Sequence, residues 1–599
     1  MNDNAIYSSE RMKNIKNFRP HEATTYKTVK EIYVNTMAKY SKNVFALEKR
    51  NPKDPAFKEY TYEDFDKHVN GLGTGLEKVL GLAGKPIVIV GENSYNWYIS
   101  YMALLIGSCI AVPIDKELPA NEFERLVNRS RAAAVIYSPK KKELIEEVKA
   151  NVPTVEYFIE MYSDAPVEGN TVGFNTVMAE GTKLVEQGDK YLMDVKVEPE
   201  TFKVLIFTSG TTAASKGVML SERNLAENIN AVSAYVKLYE NDRLLSVLPL
   251  HHTYESSIGF LVPFAWGSSV AVCQGLKYIV KNLKETKPTI VLTVPLLIEN
   301  IYKKVNDTLV KTKKDKLVAR MIKVTDVLAK IGINIKRKVF KEILDNLGGR
   351  VRLLISAAAP IDPKIGEWLI GVGIAFLQGY GLTETAPISA LEPEFRYKTG
   401  TIGLPVNCAD LKIVNPNENG EGEIMIKSKT LMIGYYEDEE ATKEAITEDG
   451  WFHSGDMGFM DEDGYVSITG RLKNVIVTQN GKNIYPEEVE TVVMQNHPEI
   501  KECMVYGAAG REGDKESIIA IKVIPDYDVV AADLGKDKAD KDDAYNVIWA
   551  IIKEVNKTLT SYKNIKQLEI KEDEFEKTST MKIKRFAELA KDKAKKENN

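Results

Sequence analysis

Cysteine is scarce: the 599 residues hold four, Cys109, Cys273, Cys408 and Cys503, all far apart. Such spacing excludes a disulfide scaffold and any Cys-x-x-Cys zinc site, and it fits a reducing cytoplasm. Histidine is nearly as rare, six residues with no His-Glu-x-x-His among them, so that metalloprotease pattern is excluded too. An excess of one charge is also lacking. The formal net charge is −5 and the pI about 6.0, so no basic footprint points to nucleic acid. Unbroken membrane-length runs are missing as well. Residues 93–114 and 256–276 carry no charge, but the first is interrupted by Gly107, Ser108 and Pro113 and the second by Pro263 and Gly267. Each reads as a buried helix followed by a buried strand rather than a span of about 20 residues. The opening stretch, residues 1–18, has no apolar core, so no signal peptide is expected. The closing KKENN carries no lipidation box.

What is present is the profile of a soluble globular chain, 44% hydrophobic and 28% charged. At about 100–200 residues per domain its length implies several packed units. Short β-type runs (86–90, 133–137, 204–207, 244–248, 269–273, 290–294 and 351–355) alternate with helical patterns such as 62–80, which opens on a capping box at Thr61. This alternation predicts an α/β fold with mostly parallel sheets in a large N-terminal domain. The texture turns to short strands and turns at about 404–472, a β-rich subdomain. Residues 473–599 are left for a small α+β C-terminal domain, with strands near 503–506, 518–523 and 567–570 and a helix near 545–559. Residues 301–350 stand apart, with 14 Lys/Arg against 5 Asp/Glu. Two readings are open for them: a solvated helical face, or a basic approach to an anionic membrane or ligand.

The chemical signal follows the strand at Val204: Phe207-Thr-Ser-Gly-Thr-Thr-Ala-Ala-Ser-Lys-Gly217. Hydroxyls, glycines and one lysine in a tight turn suit an oxyanion, because backbone N–H groups converge, hydroxyls donate and the lysine supplies charge. The loop is not a Walker A loop, for Ser215 and Gly217 stand where that template needs glycine and a hydroxyl. Gly71-Leu-Gly-Thr-Gly75 lies inside a helical pattern and fails as a dinucleotide fingerprint.

The loop instead resembles the phosphate loop of the AMP-forming adenylating enzymes, which include acyl-CoA synthetases, peptide-synthetase adenylation domains and firefly luciferase. Ala213 and Ser215 replace a customary glycine and proline. Further matches follow in family order: Leu248-Pro-Leu-His-His-Thr-Tyr254, Ser356-Ala-Ala-Ala-Pro-Ile361, Gln378-Gly-Tyr-Gly-Leu-Thr-Glu-Thr385, Trp451-Phe-His-Ser-Gly-Asp456, Gly470-Arg-Leu-Lys-Asn474, Asn480-Gly-Lys-Asn-Ile-Tyr-Pro-Glu-Glu488 and Lys577-Thr-Ser-Thr-Met-Lys-Ile-Lys-Arg585. Alanines at 357 and 358 stand where glycines are usual, and Met581 stands where many members have glycine.

The resemblance implies ATP, Mg²⁺ and coenzyme A as partners, with a small domain that is mobile about a hinge at Lys473. It implies that Thr208, Ser209, Gly210, Thr211, Thr212 and Lys216 hold phosphates, and that Thr383 contacts the α-phosphate. Glu384 and Thr211 are the implied Mg²⁺ ligands. Ala357, Ala358, Ala359, Gln378, Gly379 and Tyr380 would surround adenine, with Asp456 on the ribose and Arg471 against ribose or phosphate. Gly481 would border the thiol's tunnel. Lys582 would bridge the substrate carboxylate and the α-phosphate, making Lys582, Thr383 and Glu384 the catalytic set, and His251 and His252 would border the carboxylate pocket. The insertion at 301–350, Asp115-Lys-Glu-Leu-Pro119 and the form of the terminal lysine motif resemble the long-chain fatty acyl-CoA synthetases. The implied function is activation of a fatty acid to acyl-AMP and then acyl-CoA in the cytoplasm, with peripheral contact at the inner membrane surface through 301–350. Rivals are another carboxylic acid or a carrier-protein acceptor, and a non-catalytic nucleotide or acyl sensor.

Overall fold

The computed structural model describes residues 6–7, 20–208, 215–359, 361–477, 483–495, 497–509, 517–577 and 582–597. Two large sheets organise the described part of the chain. The first has eight described strands in the order Gly434–Tyr435, Lys216–Ser221, Phe202–Thr208, Ile110–Pro113, Pro86–Val90, Ala134–Tyr137, Tyr157–Glu160 and Thr171–Gly173. From Phe202–Thr208 onward its pairings are parallel. In the second, the run Ala375–Gly381, Leu353–Ser356, Ile290–Thr293, Arg243–Ser246, Ser269–Val272, Val44–Glu48 is parallel throughout, with antiparallel strands at both edges. Strand Pro86–Val90 shows why the composition demands this layering. Ile87 and Ile89 join one core and Val88 and Val90 another, so both faces of the sheet are covered.

The uncharged stretches are largely buried, the second as far as Cys273, with Gly275 and Leu276 exposed at its end. Residues 93–114 form the helix Tyr95–Ile106 and strand Ile110–Pro113, and the second stretch ends in strand Ser269–Val272. Among the described residues no helix is long and apolar enough to cross a membrane. Thr61 caps the helix Tyr62–Thr74, its side chain and that of Asp64 exchanging hydrogen bonds with each other's backbone. The glycines of that helix serve packing. A Cβ on Gly181, in the helix Phe174–Glu186, would come within 1.9 Å of the Gly71 carbonyl oxygen, so the two helices cross in near backbone contact.

The chain then builds an antiparallel sheet whose longer strands are Ala409–Val414, Gly422–Ser428, Phe452–Met460 and Val466–Arg471. Beyond the turn Leu472–Asn474 stands a separate core. There the strands Ile500–Ala509, Ser517–Pro525 and Ile565–Ile570 pack under the helices Pro486–Met494 and Lys541–Thr558. The parallel neighbours Leu353–Ser356 and Ala375–Gly381 run side by side, Ser356 opposite Gln378, toward the C-terminal edge of their sheet, the usual location of ligand sites in such sheets.

Candidate active site

The hydroxyl-rich loop bridges a hairpin. Thr208, the last residue of its strand, pairs with Lys216, the first of the next. Ser209, Gly210, Thr211 and Thr212 lie outside the described residues, as does Gly481. The hairpin's lysine is held by something the motif did not include. The Lys216 ammonium sits 4.4 Å from the centre of the Tyr435 ring, and the Tyr435 hydroxyl donates to Glu384 Oε1 at 3.0 Å. An aromatic face and a carboxylate thus fix a cation and an anion on one tyrosine. Burial, with Glu384 adding to it, raises the Tyr435 phenol, so it stays a donor. Thr383 opens the short turn Thr383–Thr385 beside them and is half-buried.

Glu384 is partly exposed and offers hard oxygens. Among the described residues no group of three or more His, Cys, Asp or Glu side chains is arranged to hold a metal. A Mg²⁺ at Glu384 would therefore take its other ligands from phosphate oxygens and water, an arrangement this ion favours.

A second cluster forms where two sheets meet. Tyr380 is 6% exposed, and its hydroxyl donates to Asp456 Oδ2 at 2.7 Å; Arg471 Nε holds the other oxygen at 2.9 Å. Asp456 and Arg471 are register partners on adjacent strands, so their side chains share one face. Gln378 and Gly379 precede Tyr380 in the strand Ala375–Gly381, and the backbone N–H of Gln378 donates to Glu392. Ala357, Ala358 and Ala359 follow the neighbouring strand Leu353–Ser356. Ala358 has φ +81°, a left-handed conformation in which glycine is relaxed and alanine is strained by about 1–2 kcal/mol.

The small domain delivers Lys582 to this cluster. Lys577 and Ile583 form an antiparallel bridge; Lys577 is anchored to Glu502 at 2.6 Å, and Arg585 to Glu490 and the Val505 carbonyl. Lys582 is exposed to solvent while lying within electrostatic reach of Arg471, Asp456 and Glu487. Surrounding protein lowers its ammonium to about 8; Arg471 adds to the fall, and Asp456 and Glu487 oppose it. Lys582 in turn helps keep His252 neutral, behind the larger effects of burial and His251. Lys473 is exposed in the turn Leu472–Asn474, which joins the two parts of the chain.

Next to Lys582 opens a cavity of about 1800 Å³. Its wall includes His252, Tyr254 and Ala358 on the large domain and Phe575 and Lys577 on the small one. Asn93 shapes this end, bonding Ser246, the Leu248 carbonyl and the Leu250 N–H, while Tyr254 bonds the Ile355 carbonyl. His252 lines the cavity. His251 sits behind it, ring centres 4.0 Å apart, with Nε2 3.6 Å from Asp115. Burial holds His251 down at about 3, so that contact joins a neutral imidazole to a carboxylate.

Away from this end the wall becomes apolar, with Leu309, Leu317, Val318, Met321, Phe340 and Ile343. These residues belong to the basic segment 301–350. Its helices Pro295–Lys311 and Asp315–Lys330 are therefore more than a solvated face, because their inner sides roof the cavity. Counting charge hid this: the apolar residues recur at helical spacing between the lysines.

Two side chains escaped the sequence reasoning altogether. Tyr435 stands in Gly434-Tyr435, a strand too short to carry a pattern. Glu255 lines the cavity at 1% exposure, accepts from Ser246 Oγ at 2.5 Å and leaves Oε2 without a hydrogen bond. Burial pushes it up to about 8, leaving a neutral carboxyl in an apolar wall. A charge inside an otherwise apolar stretch, 254–265, was the available signal.

Comparisons with known proteins agree with this geometry. The model of the AMP-binding enzyme family matches residues 42–436, and that of the AMP-binding enzyme C-terminal domain matches residues 473–593. The long-chain-fatty-acid–CoA ligase FadD15 of Mycobacterium bovis is 28% identical over 89% of this chain and 90% of its own. Long-chain-fatty-acid–CoA ligase 5 of Rattus norvegicus is 29% identical over 94% of this chain and 87% of its own. Among solved structures, the anthranilate CoA ligase AuaEII in complex with anthranoyl-AMP superposes with TM-score 0.75 at 20% identity, covering 96% of this chain and 98% of its own. ATP-bound MatB from Rhodopseudomonas palustris gives 0.70 at 20%, covering 94% and 99%. At that identity the last two speak for the fold.

Proposed function

The chain belongs to the AMP-binding enzyme family, and on that footing we propose that it is an ATP-dependent ligase converting long-chain fatty acids to acyl-CoA through an acyl-adenylate. The observation that carries the proposal is the meeting of Lys582, from the small domain, with the Tyr380–Asp456–Arg471 cluster at one end of a largely apolar cavity.

A carboxylate is a poor acyl donor because oxide is a poor leaving group. In the first step a carboxylate oxygen bonds to the α-phosphorus of ATP and pyrophosphate departs. In the second, a thiolate bonds to the acyl carbon and AMP departs. Both steps shift negative charge onto phosphate oxygens, so placed cations and donors supply much of the catalysis. Lys216 and the hydroxyl loop (Thr208, Ser209, Gly210, Thr211, Thr212) would hold the leaving phosphates, and Thr383 the α-phosphate. Glu384, with Thr211, would hold Mg²⁺, and the ion would supply neutralisation of phosphate charge. Asp456 would exchange its Tyr380 and Arg471 contacts for ribose hydroxyls, while Tyr380, Gln378, Gly379 and Ala357–Ala359 enclose the base. Lys582 would neutralise the repulsion between two anions that must meet. His252 and Tyr254 end the acyl cavity, with His251 buttressing His252.

The hinge at Lys473 would let the small domain turn after the first step, withdrawing Lys582 and bringing the Gly481 side to the thiol's path. The domains are then 1–472, with the β-rich part at 404–472, and 473–599. A cytoplasmic location with peripheral contact at the inner membrane surface through 301–350 goes with this function because the substrate partitions into lipid. The test is product analysis with ATP, Mg²⁺ and CoA across saturated acids of about 8 to 20 carbons, a span read against the methylene increment of burial. Acyl-CoA and AMP in equal amounts, with the longer acids used more efficiently, are expected. Turnover confined to aromatic or short acids would overturn the substrate class.

A further inference from the structure

The cavity is larger and less uniform than a saturated chain needs. At about 1800 Å³ it exceeds the roughly 300–1,000 Å³ of ordinary small-molecule pockets. Beside the apolar arm under the roof it has a polar one, whose wall holds Glu48, Asn93, Ser94, Tyr162, Glu255 and Gln274. A hydrocarbon chain offers none of these a partner.

Two carboxyls stand out in that wall. Glu255 and Glu48 are 1% and 4% exposed, and on each of them Oε2 has no hydrogen-bond partner among the described residues. Buried oxygens left unpaired are costly and rare, yet two line one cavity. The sheet brings them together. Ser246 pairs with Val272, and Ala271 pairs with Leu47, so Ser246, Val272 and Glu48 follow one another across three adjacent strands. At strand spacing Ser246 and Glu48 are on the order of 10 Å apart, with their side chains on one face. Tyr98 feels both carboxyls: burial raises its phenol, and Glu255 and Glu48 each add to the rise.

The direction of the hydrogen bonds says what the Glu255 oxygen needs. Asn93 donates to Ser246 Oγ at 3.0 Å, and the Ser246 hydroxyl donates to Glu255 Oε1 at 2.5 Å. Oε1 is thus an acceptor, and the proton of the neutral carboxyl falls to Oε2, which calls for an acceptor in the cavity. Gly259 leaves the space the carboxyl fills, for a Cβ there would lie 2.7 Å from Glu255 Cδ. Glu48 repeats the pattern, its Oε1 accepting from the Tyr95 N–H at 2.8 Å and the Tyr162 hydroxyl at 2.7 Å. The place along the chain follows from His252, which ends the cavity beside Lys582. The backbone N–H of Glu255 donates to the His252 carbonyl at 3.1 Å, and side chains one turn apart are about 5–6 Å from each other. An oxygen meeting Glu255 would therefore sit on one of the first few carbons from the carboxylate.

On the footing of the ligase function above, we propose that Glu255, with Glu48 beside it, forms a subsite for an oxygen borne by the acyl chain near its carboxyl end, so that the preferred substrates are long-chain acids hydroxylated there.

Competition between palmitate and β-hydroxypalmitate for the full chain, in ATP, Mg²⁺ and CoA, reads the preference as a ratio of kcat/KM. ω-Hydroxypalmitate, with its oxygen at the far end, is the control. Wild-type protein is expected to favour β-hydroxypalmitate over palmitate at least about tenfold, and to gain nothing from the ω-hydroxyl. Glu255→Gln keeps a donor at the site and should keep most of the preference, whereas Glu255→Leu should bring the ratio to about one. The wild-type competition stands whether or not a variant folds.

Equal use of palmitate and β-hydroxypalmitate by wild type would overturn the subsite. So would an equal gain from the ω-hydroxyl, or a preference that survives Glu255→Leu. A raised KM for CoA in Glu255→Leu with the acid ratio unchanged would also overturn it, since the polar arm would then belong to the thiol's path. Failure to turn over any acid, with a melting temperature raised more by β-hydroxypalmitate than by palmitate, would sink the ligase function and leave the subsite standing. The same failure with no difference in melting temperature would sink both.

Discussion

The two ends of the cavity are built on opposite principles. At the inner end a handful of polar side chains, each with one required chemistry, converge from distant elements: Lys216 and Tyr435, Tyr380 and Asp456, Arg471 and Lys582. At the outer end Leu309, Val318, Met321, Phe340 and Ile343 make a wall in which size and apolarity matter and identity matters little. A charge-handling site cannot exchange a carboxylate for a hydroxyl without losing its function, so it leaves fixed residues at fixed offsets. An apolar wall can exchange leucine for methionine, and so leaves only periodicity. The first end should fail sharply under single substitutions; the second should change what it accepts.

The sharpest break is expected at Lys582. Lys582→Ala should lower acyl-adenylate formation by about 10²–10³-fold, the effect of removing one charge-stabilising group, and leave thioester formation from supplied acyl-adenylate intact. Single-turnover measurement of each half-reaction checks this, and equal loss of both would mean that Lys582 is not confined to the first step.

At the other end Ile343→Trp adds bulk to the cavity roof. It should cut kcat/KM for palmitate by about 10–100-fold while sparing octanoate, the discrimination a filled pocket can supply. Competition between the two acids reads the ratio directly. Uniform loss for both would point to damaged folding instead.

A pH profile compares the ends without mutation. Surrounding protein lowers the Lys582 ammonium to about 8, and the group must be a cation to bridge two anions. The ammonium is present below that value and lost above it, so adenylation should decline severalfold as pH rises through about 8. Thioester formation, which does not need Lys582 in place, should show no fall of that origin. A first half-reaction flat to pH 9.5 would contradict the assignment, because the ammonium near 8 would be mostly neutral there.

The smallest effect belongs to Ala358, whose φ of +81° suits glycine. Ala358→Gly should stabilise the fold by up to about 1 kcal/mol, relief of strain being partly offset by the freer unfolded chain. Denaturant unfolding measures it.

The contrast also explains what could be read in advance. The parallel strands were legible because a sheet covered on both faces needs unbroken apolar runs such as Pro86–Val90. The resemblance rested on polar residues in short motifs, and Asp456, Arg471 and Lys582 come together across the two domains. Tyr435 was illegible because its partners, Lys216 and Glu384, lie 219 and 51 residues away in sequence. The roof was illegible for another reason. Fourteen basic residues in fifty dominate any charge count, while the apolar stripe between them has meaning only once the helix is laid against a cavity. The glycine-to-alanine changes at 357 and 358 were visible, but the strain that Ala358 carries required a backbone angle.

The central claim is that one chain clamps ATP beside a fatty carboxylate and joins them. Palmitate-dependent exchange of labelled pyrophosphate into ATP, in Mg²⁺ and without CoA, tests it most directly. Exchange that requires palmitate and vanishes in Lys582→Ala is the predicted result. Absence of exchange with every aliphatic acid offered, from a protein that is folded and binds ATP, would contradict the account.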